Sequence, residues 1–349
     1  MADPINSEEL LKLIQEKQIA AIQGIEDKAI KAATEKRYKA IDDAIGSATS
    51  NWIKAFGSPG AAGTGAPLSD MIRAALSASN GALKGLEGSV ISALSEAVGS
   101  AVTTATEQGK DFVRAATGKA AAANVATPAV SLADERKAVA AAVREGESAF
   151  KKLLRRPVVE RLGLRGILAG LRQARNVLGR AKSTITTSVN ANVERTMRAT
   201  STANKAPFEL WVAERDACVR CSAYAGRLVK TGEDFPGGLS WDPNQRDKNA
   251  PDVRPPLHPH CRCRLVPWNP AWAKEGEVSL PDAVAREAQR SVARGFSLPS
   301  ESNASRIRAL KELLQNGSPQ LPKTVLERAQ RDLKRGEFAR GRSVPTSNP

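Results

Sequence analysis

The stretch DACVRCSAYAGRLVK, residues 216–230, carries Cys218 and Cys221 in a C-x-x-C spacing. The chain has four cysteines and two histidines in 349 residues. The other two cysteines and both histidines lie in PPLHPHCRCRLVPW, residues 255–268. Random scattering would not place all six of these residues in one short window, so the grouping indicates a site.

Thiolate and imidazole groups are the ligands that tetrahedral zinc prefers, and a C-x-x-C turn presents two thiolates to one ion. The four cysteines form one candidate ligand set, and His258 replaces Cys261 or Cys263 in the alternative. His260 is the least favoured ligand. The candidate metal ligands are therefore Cys218, Cys221, His258, Cys261 and Cys263.

Two other arrangements of the cysteines stay open. Two disulfides would account for the cysteines but not for the histidines, and synthesis in a reducing cytoplasm disfavours them. Free buried thiols are the second alternative. The motifs of catalytic zinc, H-x-E followed by P-C-x-x-C or H-E-x-x-H, are absent from the sequence. We therefore expect a structural Zn²⁺, no catalytic residues and no enzymatic activity.

The pattern along the chain predicts a mainly α protein, with long N-terminal helices and linkers before a small α+β module. In that module three short strands, near 208–216, 226–230 and 262–268, would form a zinc-stapled sheet. Two short helices are expected after it, near 282–294 and 305–315. The predicted segments are a long helical arm (1–56), an Ala/Gly/Ser-rich helical segment with linkers (57–130), a basic helical region (131–200), the zinc-knuckle β module (201–268), and short helices with a basic, partly disordered tail (269–349).

Charge is the second informative property of the composition. Lysine and arginine number 52 against 37 acidic residues, a net charge of +15, which favours polyanionic partners. No apolar run reaches the roughly 20 residues that span a bilayer, so the default expectation is that no membrane is involved.

The excess of positive charge is greatest in residues 151–182, which contain ten basic residues and one acid. Leucines at helical spacing give this stretch an apolar face, so the pattern predicts a basic amphipathic helix, a type that can bind nucleic acid, an anionic membrane surface or an acidic protein groove. The alternative is an ordinary solvated helix face. The candidate binding residues are Lys151, Lys152, Arg155, Arg156, Arg161, Arg165, Arg172 and Arg175.

The order of residues around the cysteines resembles a known family. It runs W-x-x-x-x-D-x-C-x-x-C-x-x-x-x-G, a spacer, and then P-P-L-H-P-x-C-R-C-x-L-x-P. This string is similar to the hallmark of the phage Mu F-like minor head proteins, also called head morphogenesis proteins. The resemblance covers roughly residues 180–268, and its spacer here is longer than is usual in that family. The residues that carry it outside the metal ligands are Trp211, Asp216, Gly226, Pro255, Pro256, Leu257, Pro259, Arg262, Leu265 and Pro267.

The resemblance implies a low-copy virion protein that is made in the host cytoplasm and lodged in the capsid interior at the portal vertex. Its implied partners are the portal protein, the major capsid protein and packaged DNA, the last bound non-specifically. It would assist head assembly, DNA packaging or DNA ejection. The alternatives from the residues themselves are a metal-dependent nuclease or other hydrolase, and a DNA-binding accessory protein outside the virion.

Overall fold

A computed structural model of the chain describes residues 5–241, 246–273, 277–299, 301–316 and 321–341. The fold is mainly helical with a small sheet module, as the sequence predicts. The chain divides into two compact units, which we name by what they contain. The sheet unit comprises Met1–Gly24, Ser100–Ala129 and Asn190–Pro349, and the helical unit comprises Ile25–Gly99 and Val130–Val189.

These units combine pieces of the five predicted segments, because residues far apart in sequence pack together. Three long helices contribute residues to both units: α2 (Ile19–Phe56), α4 (Leu86–Thr117) and α7 (Leu164–Ala203). Among the described residues, no helix is both long and apolar enough to cross a membrane.

The N-terminal pattern forms α1 (Ser7–Lys12), a π-helical segment (Leu13–Gln18) and then α2. Asn6, in an extended conformation, caps α1: its side-chain oxygen accepts a 2.9 Å hydrogen bond from the backbone N–H of Glu9. An N-cap oxygen satisfies one of the free N–H groups of the first turn. The helix ends at Phe56, before Gly57, which adopts a φ of 83°.

The helical unit contains α3 (Gly65–Leu83) and α5 (Ala133–Leu153) besides parts of the long helices. Its core is built from aliphatic side chains at helical spacing together with two large aromatic residues. The fully buried members include Ile41, Trp52, Leu68, Leu86, Leu94, Phe150, Leu171 and Leu178.

The basic stretch 151–182 is not one amphipathic helix. It covers the end of α5, the short helix α6 (Arg156–Leu162) and the beginning of α7. Pro157 lies in the first turn of α6, where proline is tolerated but where it prevents α5 from continuing. Gly163, with a φ of 62°, ends α6 in a conformation that favours glycine.

The three predicted strands are present and shorter than expected. They are β1 (Phe208–Val212), β2 (Leu228–Lys230) and β3 (Arg264–Trp268). They form an antiparallel sheet in the order β2-β1-β3, with Phe208 opposite Trp268 and Val212 opposite Arg264. The third strand begins two residues later than predicted, so Cys261 and Cys263 lie in the segment that leads into it.

The core of this module is aromatic. The fully buried ring of Trp211 stacks on Tyr224 at 4.7 Å between centroids and meets the ring of Phe235 edge-on at 5.1 Å. Gly226, with a φ of 79°, turns the chain into β2, and a side chain there would lie 2.6 Å from the carbonyl oxygen of Pro281. The tryptophan and the glycine of the sequence motif thus have structural roles in this module.

After the sheet come a 3₁₀ turn (Pro270–Trp272), α9 (Leu280–Ala293), β4 (Phe296–Ser297), α10 (Asn303–Asn316), α11 (Lys323–Arg335) and β5 (Ala339–Arg340). The two predicted helices correspond to α9 and α10, while α11 was not predicted. Within the expected tail, β5 pairs in parallel with β4, and residues 342–349 lie outside the described residues.

Candidate metal centre

The C-x-x-C segment follows β1 and forms the single-turn helix α8 (Val219–Ser222). Cys218 occupies the N-cap position, where its sulfur lies 3.5 Å from the backbone nitrogen of Cys221. Asp216, two residues earlier, adopts a left-handed φ of 56° and accepts a 2.9 Å ion-paired hydrogen bond from Arg290. This contact holds the aspartate of the sequence motif at the bend that leads into the turn.

The second segment reaches the same place through the sheet. The end of β1 pairs with the start of β3, which brings the residues after Val212 close to the residues before Arg264. A turn closed by the hydrogen bond from the backbone N–H of Cys261 to the carbonyl of His258, 3.0 Å long, completes the approach. The antiparallel pairing therefore gathers the two cysteine segments.

The donor atoms form two triads that share Cys221. In one triad Nε2 of His258 lies 3.2 Å from the sulfurs of both Cys218 and Cys221. In the other, Cys221 lies 3.7 Å from Cys261, and Cys263 completes the group, with all ligand atoms of each triad within 4.8 Å of one another. The edges of a tetrahedral zinc site with sulfur and nitrogen ligands measure about 3.5 to 3.8 Å. The cluster could hold a metal ion.

Burial distinguishes this cluster from a surface group of donors. All four cysteines are buried, with at most 4% of their surface exposed, while His258 is half-buried. A closed, four-ligand environment is typical of structural metal sites, whereas catalytic sites keep a position open for water or substrate.

The thiol pKa values separate into two classes. Hydrogen bonding from Cys221, together with the nearby His258, lowers the pKa of Cys218 to about 5 against the opposing effect of burial. Hydrogen bonds from Cys221 and Cys263 also hold the pKa of Cys261 well below its ordinary value. Donation to Cys218, Cys261 and Cys263 raises the pKa of Cys221. A hydrogen bond from Cys221 lowers the pKa of Cys263, but its own hydrogen bond to Cys261 and burial outweigh this effect and raise that pKa. A metal would displace the remaining thiol protons on binding.

His258 is oriented as a ligand would be. Its Nδ1 lies 2.8 Å from the carbonyl oxygen of Pro259, so an N–H at Nδ1 donates to that oxygen and Nε2 points towards the sulfurs. Metal-binding histidines commonly use the second nitrogen in this way. Burial lowers the pKa of His258, but its hydrogen bond to Cys218 and the two neighbouring thiolates outweigh this effect and raise it to about 9.

Two glutamates near the cysteines are not among the predicted site residues. Burial and the charge of Cys261 raise the pKa of Glu214 to about 8, although the backbone N–H of Arg262 donates to its carboxylate. Burial likewise raises the pKa of Glu194 to about 8, against the influence of Arg264 and a 2.9 Å hydrogen bond from the backbone N–H of Leu265. Glu214 lies four residues before Cys218 in the sequence, but its proximity to Cys261, like that of Glu194, arises from tertiary packing.

His260, the least favoured ligand, is half-buried with a φ of 64°, and neither donor triad in the described part of the chain includes it.

The eight candidate basic residues are all exposed, and all belong to the helical unit. Three of them form ion pairs: Lys151 with Glu147 at 3.3 Å, Arg156 with Glu160 at 2.8 Å, and Arg175 with Asp42 at 3.0 Å. The other five, which make no ion pair with any described residue, are Lys152, Arg155, Arg161, Arg165 and Arg172.

Comparison of the chain with protein-family models, with curated proteins and with solved structures finds no match.

Proposed function

We propose that this chain is a phage minor head protein, built around one structural zinc ion and associated with the portal and the capsid interior. The observation that carries the proposal is the convergence of the C-x-x-C and H-P-x-C-R-C segments on one buried cluster. In the sequence these two segments occur in the order that resembles the Mu F-like proteins. In this function the zinc ion has a structural role and needs no catalytic activity.

The zinc ligands in this proposal are Cys218, Cys221, Cys261 and His258. The 3.7 Å separation between Cys221 and Cys261 matches an edge of a tetrahedral zinc site, and the orientation of the imidazole ring supports His258 as the fourth ligand. The two 3.2 Å separations from His258 are shorter than an edge, and Cys261 lies outside the triad of Cys218, Cys221 and His258, so binding requires a small rearrangement of the two triads around the ion. Cys263 then remains a thiol beside the site, in hydrogen-bonding contact with Cys221 and Cys261.

The metal takes the place of a large core in this module. The sheet has only three strands, and β2 is three residues long. A small sheet buries little apolar surface, so cross-linking β1 and β3 through an ion adds stability that side-chain packing does not provide.

The exposed basic residues of the helical unit serve as the polyanion surface in this proposal. Residues 130–189 contain 13 basic and 5 acidic residues, an excess of 8 positive charges. Contacts of lysine and arginine with DNA phosphates are non-specific and weaken as salt is raised. Such contacts suit a protein placed beside packaged DNA.

The proposal is tested by co-expressing the tagged chain with the portal and major capsid proteins of the same phage. The expected result is co-sedimentation with portal rings, and mass spectrometry of purified particles should find a few copies per virion. Cys221→Ala should reduce incorporation, whereas the neighbouring exposed substitution Arg220→Ala should leave it unchanged. Particles that lack the chain, together with no association with portal rings, would contradict the proposal.

A metal-dependent hydrolase is the second candidate, favoured by one observation. Glu214, with a pKa near 8 beside the thiols, has the perturbed titration that is common among general acids and bases. A plasmid-nicking assay with zinc, magnesium or manganese distinguishes the two functions. Nicking that is lost in Glu214→Gln would favour the hydrolase, and no nicking would favour the structural role.

A further inference from the structure

The peptide groups on both sides of Cys218 are held by side chains from the C-terminal part of the chain. Arg294 donates a 2.6 Å hydrogen bond to the carbonyl oxygen of Ala217. Glu301 accepts a 2.9 Å hydrogen bond from the backbone N–H of Val219. Cys218 therefore lies between two peptide groups that are held by hydrogen bonds. Arg294 and Glu301, which make these bonds, do not belong to the sequence motif.

These two side chains also hold each other. Arg294 and Glu301 form a hydrogen-bonded ion pair, and they are 7% and 6% exposed. The second carboxylate oxygen of Glu301 accepts a 2.8 Å hydrogen bond from the backbone N–H of Leu298. Charge-assisted hydrogen bonds in a buried environment are stronger than neutral ones, so the pair is a firm support for the turn.

Further groups restrict the same pair. The carbonyl oxygen of Ser291 accepts a hydrogen bond from Arg294. The guanidinium of Arg306, fully buried, lies 3.9 Å from Glu301 and stacks over the ring of Phe338 at 4.8 Å. Val219 itself packs in the apolar cluster of α9, α10 and α11. The turn is therefore anchored on the helices that follow the sheet, and those helices form part of the site's support.

We propose that Arg294 and Glu301 are positioning residues of the metal site, which hold the C-x-x-C turn in its ligating geometry and slow release of the metal. This inference rests on the proposed zinc binding. A ligand turn must keep its sulfurs within about 0.5 Å of the productive geometry. Residues that orient metal ligands typically change metal affinity by about 10- to 100-fold when they are lost.

The test measures how fast zinc is transferred from the purified full-length protein to a chromogenic chelator. Arg294→Ala and Glu301→Ala should release zinc about 10- to 100-fold faster than the wild type. Glu301→Gln keeps an oxygen that can accept from Val219, so it should restore much of the slow release. The matched control is Arg335→Ala, which removes a 2.7 Å contact with Asp332 in the same helices but touches no part of the turn.

A second readout separates positioning from a general loss of stability. In cobalt-substituted protein, the visible absorption bands report the geometry of the ion, and they should change in Arg294→Ala and Glu301→Ala but not in Arg335→Ala. If either alanine variant does not fold, Arg294→Lys takes its place, because a lysine cannot hold Ala217, Ser291 and Glu301 at once and should also release zinc faster. Glu301→Gln is the variant that should resemble the wild type. Wild-type release rates and spectra in all of these folded variants would overturn the inference.

If the zinc proposal is wrong, the positioning role of Glu301 can still be tested without metal. If the folded wild-type protein binds no metal, amide hydrogen exchange tests the hydrogen bond from Val219 to Glu301 directly. The N–H of Val219 should then exchange faster in Glu301→Ala than in the wild type, and an unchanged rate would overturn the positioning role.

Discussion

The two units of this protein use charge in opposite ways. In the helical unit, ion pairs lie at the surface, as between Arg180 and Glu145, whose side chains are 60% and 66% exposed. The sheet unit, in contrast, also buries charged side chains. Of the eight charged residues that are buried in the described chain, only Glu26 belongs to the helical unit; the others are Glu194, Glu209, Arg264, Arg294, Glu301, Arg306 and Asp332.

This difference shows which unit carries costly interactions. Burying a charge is unfavourable unless the charge is paired and hydrogen-bonded. The sheet unit, which also contains the cluster of four cysteines and a histidine, bears this cost, whereas the helical unit has a largely aliphatic core and an exposed basic surface. We infer that the buried charges of the sheet unit help to fix the geometry around the cysteine cluster, whereas the helical unit presents a basic surface. The predictions below test that contrast.

The largest expected effect follows from loss of the metal ligands. Cys221 belongs to both donor triads, so Cys221→Ala should destabilise the sheet unit by about 5 kcal/mol or more, a fraction of the binding energy of a structural zinc. Thermal unfolding with and without a chelator measures this. Arg220→Ala, an exposed change within the same turn, is the control. Equal melting of all three proteins would refute a structural metal.

The next effect compares one buried arginine with one exposed arginine. Arg264 is 1% exposed, donates to the side chain of Gln108 at 3.3 Å and lowers the pKa of Glu194. Arg264→Met should cost about 3 kcal/mol or more, because it leaves a buried partner unpaired. Arg180→Met in the helical unit should cost less than about 1 kcal/mol. Equal losses of unfolding free energy in the two variants, measured by denaturant titration, would contradict the contrast between the units.

A smaller effect concerns pH. The pKa of Glu194 rises from an ordinary value of 4.5 to about 8, so the folded state binds a proton that the unfolded state has released in this range. Stability from this group is present at low pH and is lost as pH rises towards 8. The wild type should therefore lose more melting temperature than Glu194→Gln between about pH 5 and pH 8.5. Glu145→Gln, at an exposed position, should behave like the wild type.

The smallest effect on stability is expected at the basic surface. Neutralising the five unpaired basic residues to glutamine should change the free energy of unfolding by no more than about 0.5 kcal/mol each. DNA binding, measured by fluorescence anisotropy over a range of salt concentrations, should weaken, and its salt dependence should decrease. Unchanged binding would mean that these residues form an ordinary solvated face.

Sequence patterns predicted well those features that depend on local chemistry. The strands around Trp211 and Leu265 were placed correctly, because alternation of apolar residues depends on neighbouring positions. The cysteine segments were recognised because scarce residue types stood close together. In contrast, α11 was missed, since its sequence is strongly polar and becomes a helix by packing a narrow face on α9 and α10.

The rest of the site depends on contacts between distant residues. Arg294 and Glu301 follow Cys218 by more than 70 positions, and only the packing of α9 and α10 brings them to the turn. The break at Pro157 could be read from the sequence, because proline cannot continue α5, but the prediction of one basic helix rests on the helical spacing of the leucines alone. The resemblance to Mu F-like proteins stays a prediction.

X-ray absorption at the zinc edge, on protein purified without added metal, tests the convergence of the two cysteine segments most directly. The account predicts about one zinc per chain, with three sulfur neighbours at about 2.3 Å and one nitrogen neighbour at about 2.0 Å. Four sulfur neighbours would remove His258 from the ligand set and replace it with Cys263. A folded, monodisperse protein that contains no metal and does not take up zinc would contradict the central claim.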